Sequence, residues 1–148
     1  MNEDRSGEAI NDLTERIIGC AYRVSNELGC GFLEKPYENA LVHELRKQGF
    51  RVQQQHPIHI YYDGVVVGEY AADIIVDETV ILELKAVRAL DSIHKAQCMN
   101  YVKATGLPVC LLLNFGTPKL QVKRIAGPRG PWRTLKCILA FLLPLLGI

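Results

Sequence analysis

The sequence predicts an α/β fold in which helices cover a central mixed β-sheet, and two observations carry that reading. Apolar residues recur at steps of three and four near the N-terminus and again beyond residue 90, which is helical spacing. Between and after those stretches lie short Val- and Ile-rich runs bounded by Gly, Pro and Asp-Gly, which are strand and turn signals. The resulting order of helix, helix, several strands, helix and two strands suits one sheet layered under helices. Length agrees, because 148 residues is about one domain and buries roughly two-thirds of the unfolded surface.

In chain order, Ile10, Leu13, Ile17, Ala21, Val24 and Leu28 form one apolar stripe and predict a helix over 8–28, stopped by Gly29-Cys30-Gly31. A second helix is expected over 33–47, with Pro36 in its first turn, Tyr37, Leu41, Val42 and Leu45 inward, and Gly49 as its stop. Two short strands, 50–54 and 58–62, precede the hairpin signal Asp63-Gly64, and longer strands follow over 65–76 and 80–87. Helical spacing returns over 91–105, with Gly106 as the stop. The almost continuously apolar run 109–115 reads as a buried strand, and 120–125, which alternates apolar and basic residues, as an edge strand.

Composition is that of an ordinary globular protein, 49% apolar and 22% charged, with a net charge of +1. The total conceals a split. Of the 17 basic residues three (Arg129, Arg133, Lys136) fall in 127–148, where there is no acid, leaving 14 against 16 acids in 1–126, a balance of −2. The expected organisation is a domain over 1–126 and a basic, apolar tail over 127–148 that begins at the breaker cluster Gly127-Pro128-Arg129-Gly130-Pro131. The tail is expected to pack on the domain or extend from it, or else to touch a partner or a membrane surface. Its uncharged run of 12 residues, 137–148, is shorter than the ~20 a spanning helix needs. The five cysteines include no Cys-x-x-Cys pair and the N-terminus shows no signal-peptide core, so a cytoplasmic protein with reduced thiols is expected.

The chemistry concentrates in 69–87. If Asp77, Glu78 and Thr79 form a three-residue loop, Val76 pairs with Val80, so that Asp73 lies opposite Glu83 and Ala71 opposite Lys85. One face of this hairpin (Ala72, Ile74, Val76, Leu82, Leu84, Ala86) is then wholly apolar, and the other presents Asp73, Glu83 and Lys85 within cross-strand reach. A two-residue loop would separate the two carboxylates, so the register decides the matter. Two carboxylates with a backbone carbonyl, that of Leu84, suit a hard cation such as Mg2+, which retains several waters. Lys85 would orient or deprotonate a water, or stabilise a developing oxyanion. The same spacing also describes a solvated amphipathic hairpin carrying a surface ion pair. Glu34 opens the second helix, where capping alone would explain it. Gln97 and Tyr101, four apart, share a face of the third helix. His56 and His59 fall on opposite faces of an extended stretch and do not make a metal site.

Together these residues resemble a known pattern. Gly31-Phe-Leu-Glu34-Lys-Pro-Tyr37 is similar to the signature of the GxxExxY protein family, which resembles the PD-(D/E)XK nuclease superfamily. Over roughly residues 8–126 the resemblance includes Gly68-Glu-Tyr-Ala-Ala-Asp73, Glu83-Leu-Lys85-Ala, His94-Lys-Ala-Gln97, Asn100-Tyr101 and Leu113-Asn-Phe-Gly116. Ala72 stands where the named Pro would be. The resemblance implies a restriction-endonuclease-like fold and a nuclease using Mg2+, with Mn2+ able to substitute. It implies Asp73 and Glu83 as metal ligands, Lys85 as the catalytic lysine, Glu34 as a helix carboxylate completing the site, and Gln97 and Tyr101 as supporting residues near the phosphate backbone. A phosphate contact by His94 is a lesser expectation. Nucleic acid, DNA ahead of RNA, is the implied partner. The competing reading is a nuclease-fold binding or accessory protein without its own cleavage activity, which the acidic balance of 1–126 favours. A domain of this size offers little surface to grip substrate, which leaves room for a homodimer.

Overall fold

The computed structural model describes residues 2–127, so the tail from 128 onward lies outside the described residues. Three helices and five strands follow in the order α1 (Asn2–Leu28), α2 (Glu34–Lys47), β1 (Val52–Tyr62), β2 (Val65–Val76), β3 (Val80–Lys85), α3 (Ser92–Thr105), β4 (Val109–Asn114) and β5 (Gln121–Ala126). The strands make one mixed sheet in the order β1-β2-β3-β4-β5, with β3 and β4 parallel and every other pair antiparallel. A parallel pair needs a crossover, and α3 supplies it.

The apolar stripes lie where the spacing put them. Ile17, Cys20, Ala21 and Val24 of α1 and Tyr37, Leu41, Val42 and Leu45 of α2 are buried against Ile74, Val76, Val80, Leu82, Leu84, Val109, Leu111 and Leu113. On the opposite face Cys98, Tyr101 and Val102 of α3 cover Ile58, Ala72, Ile75, Ile81, Cys110 and Leu112. Strands β3 and β4 are thus buried on both faces, which explains why their sequences are apolar almost without alternation. Among the described residues no helix is long and apolar enough to cross a membrane.

Three local outcomes differ from the sequence expectation. The stretches expected as two short strands form one strand, β1, carried through Pro57 and through Gln55, whose φ is +53°. Strand β1 lies at an edge of the sheet, where a proline forfeits no second ladder. Ala72 joins the α3 side and not the side of Ile74 and Val76. The alternation of β2 slips at Asp73, opposite Gln55, where the pairing of β2 with β3 also ends. Finally, α1 extends back to Asn2, beyond the apolar stripe that predicted its start.

The Gly-x-x-Glu-x-x-Tyr segment closes the α1–α2 connection. Gly31 adopts φ +122°, a conformation open to glycine alone at little cost. Tyr37 is fully buried, its hydroxyl donates to the Gly29 carbonyl at 2.6 Å and accepts from the Phe32 N–H, and its ring stacks on Phe115 at 4.8 Å.

Candidate active site

The loop of Asp77, Glu78 and Thr79 sets the register. Val76 pairs with Val80, Ile75 with Ile81 and Ile74 with Leu82, and there the ladder stops. Asp77 and Glu78 both adopt positive φ, and the Asp77 carboxylate accepts the Arg51 N–H at 2.8 Å, tying the turn to β1. One step past the last pair, side chains replace the ladder. The Asp73 N–H donates to Glu83 Oε1 at 3.1 Å, and the Leu84 N–H donates to Asp73 Oδ2 at 2.9 Å. The two carboxylates therefore sit interlocked at the point where β2 and β3 part.

The Leu84 carbonyl is placed by the same alternation. The Lys85 carbonyl accepts from Phe115 N–H, on the β4 side. Successive peptide groups of a strand point to opposite sides, so the polar groups of Leu84 point toward β2, where its N–H meets Asp73. Its carbonyl therefore lies on the β2 side of β3 as well.

Electrostatics mark Glu83 as unusual, since it is only 3% exposed. Burial, and then the nearby Asp73 charge, push its carboxyl up to about 8. Burial also raises Asp73, against the opposing pull of the Leu84 N–H and the Gln55 amide. Lys85, half-buried at the end of β3, is close enough for its charge to favour the ionised form of both acids.

Helix α3 roofs this face. Gln97 Nε2 donates to the Tyr101 hydroxyl at 2.9 Å, and Tyr101 is buried beneath Tyr70, with ring centroids 5.9 Å apart. Burial and then the Glu83 charge raise the Tyr101 hydroxyl above its ordinary range, so it stays a neutral donor. His94 is engaged elsewhere: its Nδ1 accepts the Asp91 N–H while the Asp91 side chain accepts the Ile93 and His94 N–H groups, a reciprocal cap on α3.

The structure therefore brings Asp73, Glu83, the Leu84 backbone, Lys85 and Tyr101, with Gln97 behind it, to one region. Glu34 is exposed in the first turn of α2 and forms no hydrogen bond or ion pair among the described residues. The carboxylate that α2 turns toward the sheet is Glu38, one turn later and 4% exposed. It accepts from Gln54 Nε2, from Gln55 Nε2 at 2.7 Å and from Lys35 Nζ at 2.8 Å. Gln55 Nε2 also donates to Asp73 Oδ1 at 3.2 Å. The sequence held a signal for Glu38: it lies on the stripe of Leu41, Val42 and Leu45, where an acid has no ordinary reason to be.

A further residue braces the site from below. Asn114, fully buried, accepts the Val87 and Gly116 N–H groups and donates to the Val87 carbonyl and to Gln121. It fixes the chain just after Lys85. Gly116 passes so close that an added Cβ would lie 2.3 Å from the Val87 nitrogen.

Among the described residues no three His, Cys, Asp or Glu side chains converge as a ready-made metal cluster. The donors present are two carboxylates and a backbone carbonyl, all oxygen. That set fits a hard divalent cation that keeps part of its water shell better than it fits zinc.

A mixed sheet covered by helices on both faces carries an acid pair and a lysine where β2 and β3 part. A family model of the PD-(D/E)XK nuclease superfamily matches residues 11–125, and the chain belongs to that superfamily. Among solved structures, an alkaline exonuclease (LHK-Exo) from Laribacter hongkongensis is similar at 15% identity and a TM-score of 0.47, over 76% of this chain and 64% of its own. The protein SSO0001 is similar at 17% identity and a TM-score of 0.48, over 78% of this chain and 59% of its own. The chain thus spans less than two-thirds of the length of either neighbour. Comparison with curated proteins finds no match.

Proposed function

We propose that the protein is a divalent-metal-dependent nuclease that hydrolyses phosphodiester bonds, with DNA as its substrate ahead of RNA. The observation that carries this reading is the interlocked Asp73–Glu83 pair with Lys85 beside it, in a chain of a nuclease superfamily. Asp73, Glu83 and the Leu84 carbonyl would hold Mg2+, with Mn2+ able to substitute. When bound, the ion supplies positive charge for the phosphate and acidifies water.

The chain's own groups do the rest. Lys85, on the same face of β3 as Glu83, would place its ammonium at the mouth of the site, where it would orient the attacking water or stabilise negative charge building on the phosphate. The Tyr101 hydroxyl, held by Gln97 and kept protonated, lines the same face as a donor. Asn114 holds the backbone beyond Lys85, which limits how far the ammonium wanders. Arg88, Lys95 and Lys119 are exposed near the Lys85 end of the sheet, whereas residues 52–84 contain no Lys or Arg. Phosphate therefore approaches from the Lys85 end, and the acidic balance of 1–126 does not oppose it there.

The test is a cleavage screen over single-stranded, duplex, flapped and branched DNA and RNA with Mg2+ or Mn2+. Wild type should cleave at least one form in a metal-dependent manner. Glu83→Ala and Lys85→Ala should each lose on the order of 100-fold or more. If folded wild type cleaves none of them yet binds nucleic acid with steep salt dependence, and Glu83→Ala binds equally, the chain is a binding or accessory protein.

A further inference from the structure

Gln55 stands in a conformation that its residue type does not favour. Its φ is +53° inside a strand, where glycine would sit without strain. The residue is exposed and belongs to neither apolar cluster, so packing does not account for the glutamine. What its side chain touches is two carboxylates. The single amide nitrogen donates to Glu38 Oε1 at 2.7 Å and to Asp73 Oδ1 at 3.2 Å. Glu38 is itself anchored in the α2 face by Gln54 and by Lys35. Asp73 is thus gripped from two sides, by the Leu84 N–H on Oδ2 and by the Gln55 amide on Oδ1.

We propose that Gln55 is a positioning residue which, seated on Glu38, fixes the rotation of the Asp73 carboxylate. For its catalytic consequence this inference rests on the nuclease reading; for its geometry it does not. The left-handed backbone at Gln55 is what turns an edge-strand side chain inward over the end of the β2–β3 ladder. An amide suits the position because its two hydrogens can serve two acceptors at once, where a carboxylate would add a third like charge.

Three proteins test it: wild type, Gln55→Gly and Gln55→Glu. The decisive readout is hydrogen exchange at the Leu84 amide, which reports whether Asp73 Oδ2 stays on it. In Gln55→Gly, which suits the positive φ, the melting temperature should hold or rise while the Leu84 amide exchanges on the order of tenfold faster. The Leu82 amide, inside the ladder, should keep its protection in the same variant. With a cleaved substrate in hand, kcat should fall about tenfold with KM within about twofold, since only the geometry of a reacting group has loosened. Gln55→Glu should be the slower of the two. Wild-type protection at Leu84 in Gln55→Gly overturns the inference, whatever cleavage does. Absence of wild-type cleavage overturns the nuclease reading and leaves the exchange result to decide Gln55.

Discussion

Glu83 is the residue whose setting has the largest energetic consequence. Burial pushes its carboxyl up to about 8 from an ordinary 4.5, which favours the neutral acid in the folded chain. A raised folded pKa gives stability that is fully present below the unfolded value and is lost as pH rises through the folded one. Without divalent ions, the melting temperature should therefore fall as pH rises from about 5 to about 8. Glu83→Gln, neutral at every pH, should flatten most of that slope, with a remainder from Asp73, which shifts the same way. A thermal melt series in chelator checks both, and an unchanged slope in Glu83→Gln would show that the burial argument is wrong. The residues that the sequence revealed and those it hid divide on physical grounds. Asp73, Glu83 and Lys85 were legible because a hairpin's register follows from loop length and period-2 alternation. Glu38 was hidden because spacing alone does not say which acid on a helix face packs against polar partners from the sheet. Gln55 was hidden because a left-handed residue within a strand breaks the alternation on which strand reading depends.

At the level of elements, the apolar stripes of α1, α2 and α3 and the continuous runs of β3 and β4 gave the layers directly. Strand β1 did not read as one strand, since Pro57 interrupts the pattern and only an edge position makes it tolerable. The segment Asn114-Phe-Gly116 after β4 stood out only through the family resemblance, and its task emerges in three dimensions: Asn114 and Gly116 lock it against Ala86 and Val87. Gly116→Ala forces a Cβ into backbone, which cannot shift without moving the end of β3. It should cost about 3 kcal/mol in denaturant unfolding, near the upper end for overpacking. Asn114→Ala leaves several buried partners unsatisfied and should cost about 2–3 kcal/mol. Both should lower cleavage further than their stability loss explains, because the Lys85 backbone is displaced. Equal activity per folded molecule would count against that link. Removing the α3 cap with Asp91→Ala should cost about 1 kcal/mol and leave the sheet intact.

For the whole molecule, charge is arranged by place and not by total. The acids that make 1–126 negative include the site carboxylates, while exposed Arg88, Lys95 and Lys119 belong to the segments that follow β3 and β4 at the Lys85 end of the sheet. Neutralising one of these three should weaken nucleic-acid binding on every sequence alike and lower the slope of log affinity against log salt by up to ~1. Removing Arg51, at the far end of β1, should leave that slope unchanged. Fluorescence anisotropy across a salt series distinguishes the two, and equal effects would mean that the mouth is not where phosphate lands.

The short loop of residues 77–79 carries one more consequence, for the order in which the chain assembles. Asp73 and Glu83 are ten positions apart, so their meeting costs little loop-closure entropy. Their enclosure is another matter, because β3 must first find β4 in parallel across the whole of α3, a contact distant in the chain and correspondingly slow. The charged centre is thus drawn together by near neighbours and sealed by remote ones. A variant that weakens the β3–β4 pairing would open the site to water before it scattered the groups within.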